Sequence, residues 1–82
     1  MRVTTHTRRA DFWSDWLSAH LPAQIRPRLS GVIERDGTLV IFAESAAWSA
    51  RMRYSVLELE AEIRAAAVGL TAIEVRVRPR DA

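Results

Sequence analysis

The sequence contains no cysteine and no lysine. Without cysteine there can be no disulfide and no thiolate metal site, which is the usage expected of a cytoplasmic protein. Glycine and proline are scarce, three of each in 82 residues, so few positions invite a left-handed turn or a forced break. The glycines form no G-x-x-G, no G-x-G-x-x-G and no P-loop, so no phosphate cradle can be read in the chain. No apolar run approaches the ~18 residues of a membrane span. Residues 1–10, MRVTTHTRRA, lack the apolar stretch of a signal peptide. The two histidines, His6 and His20, have no cysteine to complete a metal site and read as surface residues. The serines fall in no nucleophile elbow. Asp11 with Asp15, and Glu58 with Glu62, are carboxylate pairs spaced i,i+4. On the outer face of a helix such pairs are solvated charges unless a cleft shifts one of them. The expectation is a protein that is not an enzyme, with no cofactor, no metal and no small-molecule ligand.

What is present is arginine. All 12 basic residues are arginine, set against 10 acidic ones, for a net charge of +2. The forked guanidinium suits phosphate and carboxylate better than an ammonium does. The charge is patchy. Residues 1–10 carry Arg2, Arg8 and Arg9 and no acid, and residues 25–35 carry Arg26, Arg28 and Arg35 against Glu34. Arg76, Arg78 and Arg80 stand close to the end with Glu74 and Asp81, while five of the acids gather at 11–15 and 58–62.

Periodicity divides the chain into elements of one domain. Residues 1–9 are polar and aperiodic and read as a flexible basic arm. Phe12, Trp13, Trp16, Leu17 and Leu21 make one helical stripe that stops before Pro22, with Asp11 and Asp15 expected in the first turns. Residues 22–28 read as an extended connection. Two β-rich runs, 29–34 and 38–44, flank Arg35-Asp36-Gly37, and Asp-Gly between such runs is a hairpin signal. The second run is apolar at every position from Leu39 to Ala43, as a central strand would be.

Ser45 is a good N-cap for a long amphipathic helix over roughly 46–67, whose stripe is Trp48, Met52, Val56, Leu59, Ile63 and Ala66. Gly69 suits its C-terminal end. Ile73, Val75 and Val77 alternate with Glu74, Arg76 and Arg78, the pattern of a half-buried strand with one charged face. The fold class is therefore α+β, in the order α-β-β-α-β. A long crossover helix makes the third strand parallel to the second, so the expected sheet order is 1-2-3 with both helices on one face. Trp48 is expected in the core. Trp13 and Trp16 straddle the first stripe, and one of them is a candidate partner contact.

The run GTLVIFAESAAWSARMRYSVLELEAEI, residues 37–63, followed by GLTAIEVRVRP, residues 69–79, resembles the DciA family. The resemblance lies in the glycine-initiated strand, the Ser-Ala-Ala-Trp helix start, the Met-Arg-Tyr that follows and the I-x-V-x-V terminal strand. It covers about residues 11–79. It implies a bacterial KH-like domain of the second topological type over residues 10–79, between the arm 1–9 and a short tail 80–82. It also implies an adaptor that binds a DnaB-type replicative helicase, assists its loading on single-stranded DNA, and is not an ATPase. Two departures stand against a strong DNA grip by this chain. The G-x-x-G loop that clamps nucleic acid in KH domains is missing, and only short basic flanks are present. On this reading the nucleic-acid contacts are Arg51 and Arg53, then Arg76, Arg78 and Arg80, then Arg8 and Arg9, with Tyr54 stacking on a base. Two other readings share the basic edge or the exposed tryptophan: a KH-like RNA-binding module of ribosome biogenesis or translation, and a pure protein-interaction domain.

Overall fold

The computed structural model describes the backbone of residues 4–79 and the side chains of residues 11–79. The elements run α1 (Thr4–His20), a 3-10 turn (Arg26–Arg28), β1 (Leu29–Arg35), β2 (Thr38–Ala43), α2 (Ala46–Glu58), α3 (Glu60–Ala66) and β3 (Ala72–Val77). The strands form one mixed sheet in the order β1-β2-β3, with β2 antiparallel to β1 and parallel to β3. This is the α+β arrangement that the order of elements predicts.

The hairpin closes through two left-handed residues, Asp36 (φ 52°) and Gly37 (φ 79°), whose twist matches that of the flanking strands. The Gly37 carbonyl then accepts the N–H groups of Thr71 (2.7 Å) and Ala72 (3.2 Å), so the same turn starts the pairing of β3. Alternation sorts the two sheet faces. Val32, Ile41 and Val75 sit side by side and are buried, as are Leu39 and Ala43. Trp13, Leu17 and Leu21 from α1, Met52 and Val56 from α2, and Ile63 from α3 cover them. Each fully buried aliphatic side chain of this set contributes roughly 1.5–3 kcal/mol. Among the described residues no helix covers the opposite face, which has Ile33, Val40 and Phe42 at its centre.

Four local expectations need correcting. The first helix begins at Thr4 rather than Asp11, so residues 4–9 have helical backbone where an aperiodic arm was expected, and Asp11 and Asp15 lie mid-helix. Once the Trp13–Leu21 turns are packed, adding a turn toward the N-terminus costs little, and no glycine or proline opposes it. Residues 22–28 are not extended. Two N–H groups, of Ile25 and Arg26, fold back on the Pro22 carbonyl, and Pro27 sits in the first turn of the 3-10 helix, where a missing N–H is harmless.

The long second helix is two. At Leu59 (φ −96°, ψ 3°) the ladder is interrupted, with the Leu59 N–H shared between the Ser55 and Val56 carbonyls. The stripe carries through this turn to Ile63, and Ala67, in extended backbone just past α3, is buried rather than Ala66. Finally, Trp48 is half-buried rather than core, because it stands in the first turn of α2 at the rim of the sheet.

Candidate nucleic-acid interface

The open sheet face collects charge around an aromatic ring. Paired residues share a face, so Arg76 lies beside Phe42, and Glu74 beside Val40. Arg76 donates to the Glu74 carboxylate at 2.9 Å, and both side chains remain exposed. Arg78 crosses the sheet: its guanidinium lies 4.4 Å from the centre of the Phe42 ring and donates to the Ser30 carbonyl at 3.3 Å. The backbone makes room for it. The β1–β2 register slips between Leu29 and Gly31, a bulge at Ser30 whose hydroxyl donates to the Arg78 carbonyl at 2.8 Å. Gly31 has no Cβ, and one placed there would collide with the Arg78 guanidinium. The absence of a side chain at Gly31 and the bulge at Ser30 thus make room for the arginine over Phe42.

A second cluster stands at the same end of the sheet. Trp48 lies between two guanidinium groups, Arg28 at 4.6 Å and Arg51 at 5.3 Å from its ring centre. Arg28 is held there by Glu44 (2.7 Å), and its buried Nε makes no hydrogen bond. The two clusters flank the last residues of β2. The Arg78 N–H bonds to the Ala43 carbonyl at 2.8 Å, and the Glu44 N–H bonds to the Arg28 carbonyl at 3.1 Å. Ser45 caps α2 as expected, accepting the Trp48 N–H at 3.3 Å, and this fixes Trp48 and Arg51 against the rim.

The remaining sequence candidates separate. Arg51 and Arg53 make no ion pair among the described residues. Arg53 instead turns to β3 and donates to the Val75 carbonyl at 3.2 Å, away from the Trp48 cluster. Tyr54 is 76% exposed and borders a hollow with Ala50, Arg53 and Leu57 on the outer side of α2. Trp13 is corrected as a partner contact: it is fully buried, and its Nε1–H donates to the Glu34 carboxylate at 2.8 Å. Trp16 is half-buried with the His20 ring stacked on it at 3.8 Å, and Phe12 is exposed one turn earlier. Phe12, Trp16 and His20 thus form one strip along α1. Arg80 and the side chains of Arg8 and Arg9 lie outside the described residues.

The junction between α2 and α3, where a KH domain carries G-x-x-G, reads Leu57-Glu58-Leu59-Glu60. The junction has no glycine and carries two carboxylates, of which Glu60 is paired with Arg64 at 3.0 Å. Sequence reasoning missed Arg28 and Phe42. The unbroken apolar run of β2 hinted at Phe42, since one of its faces had to be open. Nothing local connects Arg28 to Trp48, which are brought together only by the fold.

Among the described residues no group of His, Cys, Asp and Glu could hold a metal ion, and no helix is long and apolar enough to cross a membrane. No known protein family and no curated protein matches the chain.

Proposed function

We propose that the chain is a DciA-like adaptor of the bacterial cytoplasm and nucleoid, which binds a DnaB-type replicative helicase and assists its loading on single-stranded DNA. The observation that carries this reading is the grouping of Arg28, Arg51, Arg76 and Arg78 with two aromatic rings at one end and on the open face of the sheet. Guanidinium groups there meet phosphates, and the rings they cover hold them in place. The strip of Phe12, Trp16 and His20 on α1 is the helicase-facing surface in this reading, separate from the arginines. The KH-like element order supports the family resemblance, and the chain acts as a binding module rather than an enzyme.

Fluorescence anisotropy with single-stranded DNA, and with RNA of the same sequence, tests it at two or more salt concentrations. Binding is weak and salt-dependent, with DNA at least equal to RNA. Replacing Arg76 and Arg78 together by alanine removes two phosphate contacts and makes the slope of log K against log salt shallower by about 1.4. An unchanged slope and affinity would refute the interface, and a strong preference for RNA would favour an RNA-binding module instead.

A further inference from the structure

We infer that the free edge of β3 pairs with the same edge of a second copy of this chain, antiparallel about a two-fold axis at Val75. This goes beyond the adaptor reading and does not depend on it. The N–H groups of Ala72 and Arg78 point to β2, bonding to the carbonyls of Gly37 and Ala43. The intervening residues of the same parity, Glu74 and Arg76, do likewise, so Ile73, Val75 and Val77 turn their backbone groups outward, to an edge that no strand covers among the described residues.

The sequence of that edge, Ile73-Glu74-Val75-Arg76-Val77, is self-complementary under a two-fold at its centre. Val75 then meets Val75 of the second copy, and Ile73 meets Val77, in hydrogen-bonded pairs. On the open face each Glu74 lies opposite Arg76 of the other copy, giving two cross-strand ion pairs. A parallel arrangement, or a shift of two residues, loses this charge match.

The surroundings fit the same occupant. A hollow of about 510 Å³ runs along the edge between Ile73 and Val75 on one side and Leu57, Glu60 and Arg64 on the other. A second, of about 300 Å³, adjoins it across Arg53 and Leu57. Leu57 (65% exposed) lines the hollow at this edge, Val77 (44%) is on the edge strand itself, and Tyr54 (76%) borders the adjoining hollow on α2. A second copy whose α2 lies on the same side of the joined sheet covers them with its own Tyr54 and Leu57. Arg53 occupies the Val75 carbonyl in the lone chain and must leave it on pairing. A charge over an edge is also a way to keep an edge unpaired. The self-matching charge order and the apolar side chains beside it weigh for pairing.

Analytical ultracentrifugation of the whole chain, from roughly 1 to 500 μM, tests the proposal. The unaltered chain forms dimers as concentration rises. Glu74→Arg and Arg76→Glu each place like charges opposite one another at both pairs and raise the dissociation constant about tenfold or more. An equimolar mixture of the two variants regains the dimer. Neither variant can form its own 74–76 pair, so recovery in the mixture comes only from contacts between chains. Circular dichroism confirms that both variants are folded. A chain that stays monomeric over this range, even if it captures some other extended peptide, overturns the proposal, as does a dimer indifferent to both substitutions or a mixture that stays monomeric.

Discussion

Trp13 and Trp48 show what single residues decide in a domain this small. Both lie on apolar stripes, and the spacing alone put Trp48 in the core and left Trp13 open to a partner. The fold reverses them. Trp13 meets the sheet's covered face, where its N–H finds Glu34 across 21 residues of sequence. Trp48 stands at the rim, where two arginines cover its ring. Helical periodicity reports which side of a helix is apolar but not how far along the helix the sheet ends. The buried indole carries both packing and a charge-assisted hydrogen bond. Trp13→Phe should lower stability by roughly 2 kcal/mol, and Trp13→Ala by about 3–5 kcal/mol, in urea titrations followed by far-UV circular dichroism. Equal, small effects of both would mean that the residue is not the core anchor described.

Among the elements, the hairpin and the third strand were the most legible. Asp36-Gly37 states its turn in two letters, and strict alternation over residues 73–78 fixes which face of β3 is charged. The bulge at Ser30 was not legible, since it answers to the docking of Arg78 from 48 residues away. Nor was the break at Leu59, where neither glycine nor proline marks the interruption. The hairpin turn serves two strand pairings at once. Gly37 needs its left-handed φ, and a Cβ there would lie 3.1 Å from Thr71 Oγ1 and 3.3 Å from the Gly69 carbonyl. Gly37→Ala should therefore cost about 1–2 kcal/mol in the same titration. A neutral substitution would show that the turn is looser than its dihedral angles indicate.

At the scale of the whole molecule, one sheet face is spent on the core and the other is left open with arginines at one end. Three surfaces result: the basic sheet end around Phe42 and Trp48, the aromatic strip on α1, and the free edge of β3. The candidate interface was half legible. Arg76 and Arg78 were placed on one face by alternation, whereas Arg28 joined only through the path of the chain, and Arg53 left the group for the β3 edge. A loading adaptor needs two separate contacts, one for nucleic acid and one for the helicase, and in the proposed reading the sheet end and the α1 strip are the surfaces assigned to them.

The most direct measurement is co-elution of the purified chain with a hexameric DnaB-type helicase on size exclusion, at roughly 10 μM of each. The account predicts a stable shared peak without DNA, weakened by Phe12→Glu on the α1 strip and unaffected by Arg76→Ala with Arg78→Ala. Separate elution of the two proteins would contradict it.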